Sequence, residues 1–171
     1  MEIEITDKSS DEYEGEFSFT KYTLKDGSGD GHFIGIDPGT ANFGVALIRP
    51  NFSEVWQISI IRKRDPLQRM KIIQAIFPRI FCYEKTMISK SVIEAAAYNA
   101  PYRQVELAEQ RAAIALYLDK ISKEVEFKQA QAIRKIAFGK YDMLAHEFWT
   151  NLPSDCAAAL SCAVVAQKTY R

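Results

Sequence analysis

Five carboxylates in this chain sit where an acid could do chemistry. Asp37 ends an apolar, β-prone run at residues 33–36, and a turn rich in Gly, Pro and Asn leads to a second such run at 45–48. That is a hairpin signature with an acid at the strand terminus. Backbone groups would hold the carboxylate rigidly, and Gly35 and Gly39 leave space beside it for a divalent metal or a phosphate; a turn-capping Asp is the plainer reading. Glu94 follows the apolar pair Val92-Ile93, so it too ends a strand. If the two strands are neighbours, the two acids stand side by side at one sheet edge. Asp155 opens the last helix after Pro153, where an N-cap or first-turn role favoured by the helix dipole is the simpler account. Asp142 and Glu147 fall in a mid-chain helical stretch and read as solvated. Three acids meeting in a basic domain would repel one another without a cation. Mg²⁺ suits such a site, because it takes hard oxygen ligands and bridges substrate phosphates.

The elements that must position these acids follow from the pattern. After the hairpin, residues 54–61 alternate in part and predict a third antiparallel strand. Asp65-Pro66 then opens a helix whose apolar face is Leu67, Met70, Ile73, Ile76 and Phe77, with Pro78 bending or ending it. A fourth strand covers 91–97. A helix after Pro101 has Val105, Ala108, Ala112, Ala115 and Leu116 at helical spacing. A short fifth strand at 124–127 precedes a helix at 131–138 that ends at Gly139. Helices over 140–151 and from 155 to about 168 complete the chain. This order predicts an α/β fold, a five-stranded mixed sheet flanked by helices. Phe148, Trp149 and Leu152 read as core; a lone His146 reads as surface or core, and His32 carries no signal.

With 171 residues, 47% hydrophobic and 26% charged, the composition is that of one ordinary domain with a sizeable core. No apolar run reaches the roughly 18 residues of a membrane span, and the acidic start has no secretory core. Cys82, Cys156 and Cys162 are odd in number and unpaired by spacing, so they read as free thiols without a zinc site. A formal charge of zero hides an asymmetry: residues 1–31 hold nine acids against three lysines, leaving 13 acids against 19 bases in residues 32–171. The body is therefore mildly basic, with 62–64, Arg134-Lys135 and Lys140 among its cations, as polyanion binding requires. Residues 1–31 read as a flexible acidic arm or leader, or as an added edge strand at Phe17–Leu24.

Ile36-Asp37-Pro38-Gly39 followed by Gly44-Val45-Ala46 resembles the opening motif of the RuvC-type Holliday-junction resolvases. Val92-Ile93-Glu94 resembles their second acidic motif, and residues 107–114 resemble the small-residue helix after it. Residues 132–139 resemble their basic helix ending in Gly, and 153–163 their last acidic helix. The resemblance covers residues 32–171 in family order. It implies an RNase H-like fold, a homodimer, and Mg²⁺-dependent cleavage of four-way DNA junctions with two ions per site, Mn²⁺ substituting. Asp37, Glu94 and Asp155 then match metal ligands. The family's second acid of the last helix falls on Ala158, one helical turn beyond Asp155. Either this copy carries an inactivating Asp-to-Ala change, or the protein works with fewer acids, or it is a catalytically silent junction binder.

The resemblance also implies that Arg111, Arg134, Lys135 and Lys140 contact DNA backbone, and that Tyr98 or Tyr102 stacks at the junction centre. Each has an ordinary alternative, as exposed charge or as packing at a dimer contact. A nuclease acting on other branched DNA or on RNA–DNA hybrids would share the same acids. A sugar-kinase or actin-like phosphotransfer domain also carries an Asp-Pro-Gly-Thr loop, but needs a second lobe that 171 residues do not hold. Function in recombination implies partners among other recombination proteins and a cytoplasmic location, or wherever the DNA resides.

Overall fold

A computed structural model describes residues 3–13, 17–25, 30–39, 41–60, 65–81, 88–95 and 104–171. Tyr98, Tyr102, Pro101, Cys82 and the basic run 62–64 lie outside them. Seven strands form one sheet: β1 (Ile5–Tyr13), β2 (Phe17–Leu24), β3 (Phe33–Asp37), β4 (Asn42–Ile48), β5 (Ser53–Ile60), β6 (Lys90–Glu94) and β7 (Val125–Lys128). Their order across the sheet is β1-β2-β5-β4-β3-β6-β7. The β3, β4 and β5 strands make an antiparallel meander, while β6 and β7 join β3 in parallel. The sheet is thus mixed, as expected, but two strands wider.

The extra strands come from the acidic segment. Its described residues are ordered: β2 pairs along its whole length with β5, and β1 covers β2 as the edge. The strand offered from sequence at Phe17–Leu24 forms with those bounds, in place of the alternative reading of a flexible arm. Charged residues on β1 face water, which makes the segment look unstructured in sequence, but Ile3, Phe17, Tyr22 and Leu24 are buried. Charged side chains on an outer strand also discourage further edge pairing.

Helices cover both faces. On one lie α1 (Pro66–Ile80) and α2 (Gln104–Leu118), packed over Ile34, Ile36, Phe43, Val45 and Ile58. Asp65 caps α1 by accepting from the Gln68 backbone N–H at 3.0 Å, and the helix continues through Pro78 in its last turn. On the other face lie α3 (Ala130–Phe138), α4 (Ala145–Phe148) and α5 (Ser154–Thr169). The helix expected over 140–151 is only the four residues of α4. The apolar stripe read on α2 is also corrected: Val105, Ala108, Ala112 and Leu116 are exposed, and α2 packs inward through Ala113, Ile114 and Leu118. No helix among the described residues is long and apolar enough to cross a membrane.

The seat of α5 decides where the site forms. A Cβ at Gly35 would overlap the Ala159 carbonyl oxygen and the Ala163 nitrogen, and one at Gly44 would overlap the Asp155 carbonyl oxygen. The helix meets these strands with Cys156, Ala159, Cys162 and Ala163, all wholly buried. Small residues on both sides let backbone lie against backbone.

Candidate active site

Parallel pairing places Ile36 of β3 opposite Ile93 of β6, so the next residues, Asp37 and Glu94, emerge together at the carboxyl ends of adjacent strands. Asp155 lies in the first turn of α5, after Pro153 at the N-cap position. With α5 pressed against Gly44, which pairs with Asp37 across the hairpin, that first turn is brought to the same edge. All three acids line one cleft of about 190 Å³, together with Arg134, His146 and Ala158.

The electrostatics are those of crowded carboxylates. Asp37 is pushed from an ordinary carboxylate value to about 8, first by burial, then by the charges of Glu94 and Asp155; Arg111 opposes the shift. Burial also raises Glu94, against the pull of Arg134 and Arg111. Burial and the same acids hold the thiols below the site protonated: Cys156 rises to about 12, with Asp155 and Asp37 contributing, and burial raises Cys162 well above the ordinary thiol value, with Glu94 and Asp37 contributing. Both are free and inert, in keeping with the expectation from sequence.

These features bear on a metal ion. Among the described residues no three His, Cys, Asp or Glu side chains are already gathered closely enough to hold one. The donor set nevertheless fits a hard divalent cation. It is made of carboxylate oxygens, and a cation in the cleft would relieve both the burial of charge and, after it, the repulsion from Glu94 and Asp155 that raise Asp37. Part of the spread is visible at Asp155, whose Oδ2 accepts a hydrogen bond from Gln57 Nε2 on β5 at 3.2 Å.

The basic residues divide. Arg134, on α3, lines the cleft and faces Glu94. Arg111 is turned inward: its Nε donates to the Glu94 carbonyl at 2.9 Å, and its Nη1 is buried without a partner among the described residues. Burial lowers its pKa, with Glu94 and Asp37 opposing. Lys135 lies over the Tyr141 ring and reaches the Gly139 carbonyl at 3.3 Å, at the carboxyl end of α3. Lys140 is exposed just beyond. Ala158 presents only a methyl group to the cleft.

One cleft residue and one partner of a cleft acid were not singled out from the sequence. His146 had no motif around it, and its place depends on the irregular run between α3 and α4, where the Glu147 side chain accepts from the Leu144 N–H at 2.9 Å. Gln57 is one polar residue in an alternating strand, and only its lateral register with Gly44 and Asp37 marks it.

No protein-family profile matches the sequence, and no curated protein matches it. Solved structures do. The Thermus thermophilus RuvC structure superposes with a TM-score of 0.63 over 80% of this chain and 93% of that one, at 13% identity. T. thermophilus RuvC in complex with Holliday junction substrate gives 0.62, over 81% and 94%, again at 13% identity. Helices on both faces of a mixed sheet give this chain a RuvC-like fold, the RNase H-like architecture.

Proposed function

We propose that this chain is a divalent-metal-dependent endonuclease that cuts four-way DNA junctions as a homodimer. The observation that carries the reading is the meeting of Asp37, Glu94 and Asp155 in one cleft on a RuvC fold. Those three side chains would hold Mg²⁺ or Mn²⁺. When bound, such ions supply Lewis-acid activation of the scissile phosphate and of the attacking water. The chain's own contribution is geometric and electrostatic. The strand ends fix Asp37 and Glu94, the first turn of α5 fixes Asp155, and Arg134 adds positive charge where a phosphodiester would enter. Arg134 and Lys140 are the residues proposed to contact DNA backbone, with Lys135 beside them at the end of α3. Two copies related by a two-fold axis would nick symmetrically placed strands. The exposed stripe of Val105, Ala108, Ala112 and Leu116 on α2 is the surface proposed for their contact.

A second reading has one observation in its favour. Ala158 leaves the cleft without a fourth acid, as a catalytically silent junction binder of the same fold would have it. One experiment separates the two. Four-way, three-way, RNA–DNA hybrid and linear substrates are tested for gel shift and for cleavage in Mg²⁺, with the unaltered chain and with Ala158→Asp. Selective four-way binding by both, with cleavage gained or strongly raised in Ala158→Asp, supports the nuclease. Selective binding with no cleavage by either favours the silent binder, and no preference for the four-way substrate rejects both.

A further inference from the structure

We infer that Gln57 is the positioning residue for Asp155, a brace on the third carboxylate of the cleft; the inference rests on the metal-site reading above. Gln57 of β5 stands opposite Gly44 of β4, which stands opposite Asp37 of β3. Directly paired residues project from the same face of a sheet, so the three form one row beneath the start of α5. The middle position has no side chain, and the Asp155 carbonyl lies against it. Gln57 meets the carboxylate from the far side of that gap, its Nε2 donating to Oδ2 at 3.2 Å. Among the described residues this is the only hydrogen bond or ion pair of the Asp155 side chain.

A carboxylate in the first turn of a helix rotates freely unless something holds it. A primary amide suits that task beside a cation site. It donates to one oxygen, leaves the other to a ligand, and adds no positive charge to compete with the ion. An apolar residue at 57 would leave the carboxylate free, and a lysine would neutralise it. The strand carrying the brace is itself fixed from both sides. On its outer side β2 pairs along the whole of β5, with Thr20 opposite Gln57. Without the N-terminal hairpin β5 would be a sheet edge. The hairpin thus has a part in the site although it supplies none of the three acids.

The test uses the full chain and Mn²⁺ alone, with free Mn²⁺ followed by its paramagnetic resonance signal. Gln57→Met keeps the length and removes the donor. Ser59→Ala, two residues along the same strand, is the control. Melting is followed by circular dichroism, and Gln57→Ala carries the test if the Met variant does not fold. Expected is a loss of Mn²⁺ affinity of about tenfold or more for Gln57→Met, the usual scale for a residue that orients a ligand, with Ser59→Ala unchanged. Affinity within twofold of the unaltered chain, or an equal loss in Ser59→Ala, overturns the assignment to Gln57 and leaves the metal reading standing. An unaltered chain that binds no Mn²⁺ overturns that reading and this inference together.

Discussion

Gly44 of β4 lies directly beneath the backbone carbonyl of Asp155, with no room between them for a single methyl group. That contact sets the height of α5 above the sheet and therefore the distance of the Asp155 carboxylate from Asp37. Gly44→Ala must lift the first turn of the helix. The expected result is a stability loss of about 1–3 kcal/mol, as for overpacking elsewhere, together with weaker Mn²⁺ binding. Gly35→Ala, which strikes the helix at Ala159 and Ala163, should cost at least as much stability. Denaturant unfolding and Mn²⁺ titration of both variants check this; Gly44→Ala with unaltered stability would refute the packing argument.

The raised carboxyl of Asp37 makes a signed statement about pH. An unfolded Asp titrates near 3.8, the folded one near 8. Between those values the folded state binds more protons, so folding stability falls as pH rises through the window and is lowest above about 8. Glu94 is raised as well and adds to the same slope. Asp37→Asn should flatten the slope and be more stable than the unaltered chain at pH 8.5, by an amount of order 2 kcal/mol, and so melt higher there. Mg²⁺ should raise the melting temperature more at pH 8.5 than at pH 5.5, since protons compete for the same oxygens. Thermal melts across pH, with and without Mg²⁺, read both effects.

How much of this was legible beforehand depends on range. Asp37 and Glu94 could be found because each ends an apolar run, a local signal. That their strands are parallel neighbours was a conjecture from topology, and Asp155 reached the site only through Gly35 and Gly44, whose lack of side chains has meaning only against a helix more than 100 residues away in the chain. Of the N-terminal hairpin, the alternation of Phe17–Leu24 offered β2 as one of two readings, while β1 was hidden because it is charged and exposed and is held only by pairing with β2. Arg111 looked like a surface cation because a helix pattern does not say which face meets the sheet. His146 and Gln57 lacked any local pattern at all.

The two arginines near the acids should therefore behave differently. Arg134 lines the cleft and is the proposed phosphate contact, so Arg134→Ala should weaken four-way junction binding and lower the slope of log affinity against log salt by about 0.9. Arg111 is anchored to the Glu94 carbonyl and buried at Nη1. Arg111→Met should leave the salt slope as it was and lower stability instead, by about 1–3 kcal/mol for the lost charged hydrogen bond. Binding isotherms at several salt concentrations, alongside denaturant unfolding, distinguish them. A shallower salt slope in Arg111→Met would return that residue to the DNA-contacting group.

The N-terminal hairpin gives the last prediction. Phe17 is 1% exposed and Leu24 is fully buried, one in each of the two cores, so the segment is anchored on both sides of the sheet. Asn151, between α4 and α5, closes the arrangement by donating to the Ile3 carbonyl at 2.6 Å and accepting from the Ile3 N–H at 3.2 Å. A dispensable leader would have no such ties. Phe17→Ala should cost about 3–5 kcal/mol, a large share of the 5–15 kcal/mol that stabilises a typical domain. Deleting residues 1–31 should remove more, exposing β5 as an edge and freeing the strand that carries Gln57. The truncated protein is expected to aggregate or to melt far below the full chain. If it instead stays folded with full Mn²⁺ affinity, the hairpin is an appendage, and the brace on Asp155 does not need it.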